Sequence, residues 1–173
     1  MIPDRIITPR LTLRRARETD LEAVSNFLSH PAAMRYWSTP EHASLAQTQS
    51  WLGRRIASPI ESSDDFLIEL QGKVIGLAGS DGLREVGFIL HPDHWHQGYA
   101  HEAMVAVITH IFTHRDLPHL TADADPRNAA SLGLLAKLGF VETHRIEKNL
   151  LWGDEWCDSV YFSLSREDWQ DHA

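Results

Sequence analysis

The chain has 173 residues, 43% apolar and 23% charged, which predicts one domain (residues 1–173) with its own core and excludes a disordered or membrane-embedded chain. Acidic residues outnumber basic ones by 24 to 16, and the net charge of −8 argues against nucleic-acid binding and against docking on an anionic membrane. A lone cysteine, Cys157, excludes an internal disulfide, and Asp4, Arg5 and Arg10 stand where a signal peptide would be apolar, so a cytoplasmic protein is expected.

The alternation over residues 10–15 predicts a half-buried strand. Asp20 then reads as a helix cap, with Leu21, Val24, Phe27 and Leu28 at helical spacing up to His30-Pro31. Ser44 caps a second expected helix, on which Leu45, Trp51, Leu52 and Ile56 precede Pro59. Between the two lies an aromatic loop, Arg35-Tyr-Trp-Ser-Thr-Pro40. Residues 66–70 and 74–78 read as strands joined by a Gln71-Gly72 hairpin turn, and a glycine-rich turn leads to a strand over 86–90. A long helix is expected from Tyr99 to near His114, and a strand over 120–124. A further helix over 128–138 ends at Gly139, and strands over 140–151 and 160–164 close the chain. This order predicts an α/β (α+β) fold: a mixed, mostly antiparallel sheet of about seven strands, a parallel pair around the third helix, and about four helices.

The chemistry concentrates in Val86-Gly-Phe-Ile-Leu-His-Pro-Asp-His-Trp-His-Gln-Gly-Tyr-Ala-His-Glu-Ala103, a strand, a loop with one glycine, and a helix start. Unpaired N–H groups and the positive end of the helix dipole make such a start an anion site. On spacing alone, the glycine reads equally as a simple turn into the helix. The histidines His91, His94, His96 and His101 also admit a second reading, a transition-metal site. No H-E-x-x-H spacing supports that one, and a protein without bound metal is expected.

Trp95-His-Gln-Gly-Tyr-Ala-His-Glu-Ala103 resembles the coenzyme A pyrophosphate loop, Q/R-x-x-G-x-G/A, of the GNAT acetyltransferases. The resemblance is to the branch of bacterial enzymes that acetylate ribosomal-protein N-termini (alanine/serine). Asp125-Pro-Arg-Asn-Ala-Ala-Ser-Leu-Gly-Leu-Leu-Ala-Lys-Leu-Gly-Phe140 is similar to the family's N-x-x-S…L-G-F block. The opening Thr8-Pro-Arg-Leu-Thr-Leu-Arg14 and the closing Trp152-Gly-Asp-Glu-Trp-Cys-Asp-Ser-Val-Tyr161 resemble the same branch. The resemblance implies a GNAT fold whose sheet splays between the fourth and fifth of the expected strands. It implies transfer of an acetyl group from acetyl-CoA to a primary amine, by direct attack without an acyl-enzyme. The acceptor would be a small-molecule amine or a protein N-terminus, and the protein a monomer or homodimer.

Carried over residue by residue, Trp95, His96, Gln97, Gly98, Tyr99 and Ala100 form the diphosphate loop, with His96 or Arg127 as nearby side-chain donors. The backbone of Phe88, Ile89 and Leu90 holds the pantetheine arm, and Asn128 and Ser131 lie near it. The Phe88 N–H polarises the acetyl carbonyl. Glu85, or else Glu147, is the expected general base, acting through water, and Ser131 stands by the leaving thiolate. Tyr36, Trp37, Trp152 and Trp156 wall the acceptor cleft. Two departures stand out: His96 replaces a frequent glycine, and Leu135 occupies the position of the usual proton-donating tyrosine. Cys157 is then a buried structural thiol. A non-catalytic acetyl-CoA sensor on the same fold is the alternative.

Overall fold

A computed structural model describes residues 2–82 and 84–172, except the side chains of Asp81, Asp171 and His172. Five strands form one antiparallel sheet in chain order: β1 (Arg5–Ile7), β2 (Leu11–Arg14), β3 (Ser63–Leu70), β4 (Lys73–Asp81) and β5 (Gly87–Leu90). Three more form a second antiparallel sheet in the order β6 (His119–Ala124), β8 (Glu155–Ser165), β7 (Val141–Trp152). A single parallel bridge, Glu85 with Thr121, joins the two. The helices are α1 (Leu21–Leu28), α2 (Pro31–Met34), α3 (Leu45–Ala57), α4 (Tyr99–His114), α5 (Ala129–Lys137) and α6 (Arg166–His172).

The mixed sheet and its splay follow the expected order, with additions at the margins. β1, α2 and α6 extend the seven strands and four helices. Pro31 does not merely stop a helix; it opens α2 at its first position, where a missing N–H costs nothing. The parallel pair expected around the long helix shrinks to one bridge, because β5 and β6 diverge beyond it. Asp20 makes no side-chain cap to α1. It accepts from the Arg17 N–H at 2.8 Å and from the Arg14 guanidinium at 2.8 and 2.9 Å. A buried guanidinium needs a carboxylate more than a helix needs a cap.

The run Phe66-Leu67-Ile68 is apolar throughout because both faces of β3 are covered. Phe66 and Ile68 join a cluster under α4 that includes Met104, Val107 and Ile111, while Leu67 packs with Phe27, Trp51 and Leu52 of α1 and α3. The β3–β4 turn places Gln71 at φ 50° and Gly72 at φ 81°, the left-handed pair that a tight hairpin twist demands. Ser44 accepts from the Gln47 N–H at 3.2 Å and so caps α3 as its sequence implies.

Asp64, fully buried on β3, is clasped by Arg115 just beyond α4 at 2.8 and 3.0 Å and by His110 at 3.2 Å. Burial opposes its ionisation, but the donors from His110 and Arg115 prevail and hold its pKa below the ordinary carboxylate value. The stabilisation is therefore present above the unfolded-state pKa and is lost as pH falls through the folded one. Asp64→Asn should lose about 3 kcal/mol at neutral pH in urea denaturation, because it removes the buried carboxylate charge that answers Arg115 and His110. The variant should also lose less stability than the parent on acidification; equal acid sensitivity would contradict this assignment.

Candidate functional site

The splay opens a cleft of about 950 Å³ between β5 and β6. Its geometry begins with strand parity. The Val86 N–H donates to Thr121 O at 2.8 Å, so this edge of the chain faces β6. The His91 N–H donates to Ile75 O at 2.9 Å, so His91, and by alternation Ile89 and Gly87, turn their backbone groups to β4. The backbone groups of Phe88 and Leu90 therefore face the cleft, where β6 has moved away. The Leu90 carbonyl accepts from the Trp95 indole at 3.0 Å. Of the three residues expected to present backbone to a ligand, Ile89 alone points to the neighbouring strand.

The loop after β5 curls twice through left-handed backbone, at His96 (φ 59°) and Gly98 (φ 80°). This explains the usual glycine at the His96 position: the fold needs positive φ there, which histidine tolerates better than branched residues do. Gly98 caps α4 without a side chain, and the first helical bond runs from the Glu102 N–H to Gly98 O at 3.0 Å. The N–H groups of residues 96–101 have no hydrogen-bond partner among the described residues. They form a continuous donor array at the positive end of a 16-residue helix. Trp95, His96, Gly98, Tyr99 and Ala100 line the cleft. The Gln97 side chain does not; it donates to Asp93 O at 3.1 Å, within its own loop.

A tether fixes this loop from outside. Arg10 donates through Nη1 to Gln97 O at 2.9 Å and through Nε to Glu102 at 2.6 Å, and its guanidinium lies 4.5 Å from the Tyr99 ring centre. The Arg10 N–H (2.9 Å) and the Thr8 hydroxyl (2.6 Å) donate to the other Glu102 oxygen. Burial works against the Glu102 charge, yet these donors hold its pKa low.

On the opposite wall, Asn128 caps α5: its Oδ1 accepts from the Ser131 N–H at 3.2 Å and its Nδ2 donates to Ser131 Oγ at 2.8 Å. The Ser131 hydroxyl hydrogen is then free to donate elsewhere. Leu135 reaches the cleft but is 1% exposed and supplies only packing.

Glu85 and Asp123 meet at the floor of the cleft. Both are wet, but surrounding protein strips part of their hydration and raises both pKa values, with the Asp123 charge adding to the rise at Glu85. No signal in the sequence marks Asp123; on a short strand it reads as an ordinary outward carboxylate. Glu147 lies apart from the cleft, on the stretch of β7 whose register with β8 breaks between Ile146 and Leu150. Lys148 has φ 48° there, where the β7–β8 ladder is interrupted.

Tyr36, Trp37 and Trp152 line the cleft as well, joined by Arg35 and Arg127. Trp156 is 58% exposed and lies outside it. Arg127 is bound to Asp125 (2.6 Å) and Glu155 (2.7 Å), so it is no free phosphate ligand. Cys157 is buried, with its sulfur 3.3 Å from Arg127. The histidines do not converge: the ring centres of His91 and His94 are 6.3 Å apart, and His91 Nδ1 accepts from the Asp93 N–H. Among the described residues, no group of three or more His, Cys, Asp or Glu is placed to hold a metal. No helix of the described residues is long and apolar enough to cross a membrane.

The profile of the acetyltransferase (GNAT) domain matches residues 10–141. The uncharacterized N-acetyltransferase YoaA of Bacillus subtilis (strain 168) is 31% identical over 144 residues, which cover 77% of this chain and 80% of that protein. Among solved structures, a GNAT-family acetyltransferase from Bacillus anthracis superposes with a TM-score of 0.82 at 24% identity, over 94% of this chain and 99% of that one. A RimL ribosomal L7/L12 alpha-N-protein acetyltransferase, solved with coenzyme A, superposes with a TM-score of 0.83 at 18% identity, over 95% and 97%. A splayed sheet, a bare helix start and these matches together make the chain a member of the GNAT acetyltransferase family.

If the tether shapes the donor loop, Arg10→Ala should speed amide hydrogen exchange at the loop's closing amide, Glu102, whose N–H donates to Gly98 O, by about tenfold, the loss of roughly 1.4 kcal/mol of local protection. Exchange in the core of α4 should stay as it was. Unchanged exchange at Glu102 would mean that the loop holds its shape without Arg10.

Proposed function

We propose that the chain transfers an acetyl group from acetyl-CoA to a primary amine, a small-molecule amine or a protein N-terminus, by direct attack within a ternary complex. The unpaired N–H array of residues 96–101 beside the open Phe88–Leu90 edge carries this reading. Such an array fits a diphosphate, and an open strand edge fits the amide groups of a pantetheine arm. The residues present therefore suit acetyl-CoA, which supplies an activated thioester.

In this reading the Phe88 N–H donates to the acetyl oxygen as negative charge develops on it. Glu85 takes the amine proton through water, and the nearby Asp123 keeps its affinity for that proton high. The amine lone pair forms the new C–N bond while the C–S bond breaks, and the departing sulfur takes its proton with the help of the Ser131 hydroxyl. Asn128 holds that hydroxyl by its oxygen and leaves its hydrogen directed away. Leu135 and Cys157 take no part. Structural neighbours support this reading, since one is an alpha-N-protein acetyltransferase and another was solved with acetyl-CoA and AMP.

A thiol-release assay against an amine panel tests the reading. Release of coenzyme A with at least one amine is expected; binding of acetyl-CoA with no release across the panel would favour a sensor. With an active amine, Glu85→Gln should lower kcat/KM about 100-fold, the scale of a lost general base. The rise of kcat/KM with pH should lie above the ordinary carboxylate range, because burial and Asp123 both favour the protonated base. Asp123→Asn should move that rise to lower pH, and an unmoved profile would remove Asp123 from the mechanism.

A further inference from the structure

The Trp152 end of the cleft holds more hydrogen-bond donors than the protein uses. The Arg35 guanidinium reaches Glu155 through Nη2 alone, at 3.2 Å. Its Nη1 is shut from water without a partner, and so is the Trp152 indole N–H. The two residues are adjacent, with the Arg35 guanidinium carbon 5.1 Å from the Trp152 ring centre and 5.2 Å from that of Tyr36. Unmade bonds of this kind are costly in a folded protein and recur where a ligand completes them.

The neighbouring charges single out Arg35. Arg127 is fully engaged, donating through Nε and Nη2 to Asp125 and through Nη1 to Glu155. Glu155 is held more closely by Arg127, at 2.7 Å, than by Arg35. An incoming oxygen anion can therefore take the Arg35 fork without stranding Glu155. The Arg35 side chain is 37% exposed, free enough to turn its fork into the cleft. Elsewhere in the same cleft stand Glu85 and Asp123, two carboxylates without a cationic partner among the described residues. Beside Trp152 the charges of Arg35, Arg127, Asp125 and Glu155 balance, and what that end offers is the unpartnered donors Arg35 Nη1 and Trp152 Nε1.

We propose that Arg35 and Trp152 form a subsite for an anionic oxygen group, so that the acceptor is an amine that also carries a carboxylate, as an amino acid does. The inference rests on the acetyl-transfer reading and narrows its substrate class. A guanidinium fork and a carboxylate match in plane and charge, and the indole N–H adds a third donor. A polyamine would bring a second cation to Arg35. A peptide N-terminus would offer a neutral carbonyl, a weaker partner for a guanidinium.

The test is calorimetric titration of the coenzyme A-loaded protein with the common amino acids, each beside its carboxamide and its decarboxylated amine. At least one amino acid should bind about tenfold or more tightly than both of its partners, the scale of one charged hydrogen bond. Arg35→Gln should erase that preference, and Trp152→Phe should reduce it, with affinity for coenzyme A unchanged in both. No preference in any set, or a preference that survives Arg35→Gln, overturns the subsite. Thiol release on the same compounds separates the two claims. Selective binding without release would refute acetyl transfer and keep the subsite; release without carboxylate preference would do the reverse.

Discussion

The structure turns on the parting of two strands. β5 and β6 run parallel and are joined by the Glu85–Thr121 bridge, where the Val86 N–H and the Thr121 N–H each find a carbonyl across the gap. Beyond that point each strand keeps its partner on one side, β4 or β8, and loses the other. An open edge is normally a hazard, because its unpaired groups recruit another strand. Here the edge lies inside a cleft, and one of its carbonyls is already capped by the Trp95 indole. The groups left over, from Phe88 and Leu90, are donors and acceptors in the spacing of an extended chain. α4 begins a few residues after β5 ends, so the bare helix start and the bare strand edge fall side by side.

That arrangement resolves the problem posed by charge. A chain of net charge −8 is a poor partner for a polyanion if attraction must come from lysine and arginine. Backbone N–H groups and a helix dipole supply attraction locally, whatever the net charge. The nearest carboxylate on the helix, Glu102, is already committed to Arg10 and Thr8. Arg127, plausible from sequence as a phosphate ligand, serves the far end of the cleft instead.

The legible parts of the sequence were those where one local rule decides. Ser44 before an amphipathic stretch, Gln71-Gly72 between apolar runs, and Asn128 four residues after Ala124 each act within a turn of chain, and each forms the element it signals. The strand, curl and helix after β5 are contiguous and so were legible as elements, but spacing alone left the curl a simple turn, and only resemblance pointed to an anion. Long-range pairings were not legible. Asp20 looked like a cap because its true partners, Arg14 and Arg17, outrank a helix start only once buried. The Arg10–Glu102 tether spans 92 positions, and no periodicity announces it. Glu147, named by resemblance alone, falls on the irregular stretch of β7 around Lys148 and does not line the cleft. Asp123 and Arg35 escaped because their significance is what they lack, full hydration in one and a partner for Nη1 in the other.

The central claim is that main-chain N–H groups, rather than cationic side chains, form the acetyl-CoA site. Amide-resolved NMR titration of the protein with acetyl-CoA tests it most directly. Saturable shifts are expected at the amides of Phe88, Leu90 and residues 96–101, with the Ile89 amide much less affected. Saturable binding that leaves those amides in place while shifting others would contradict it.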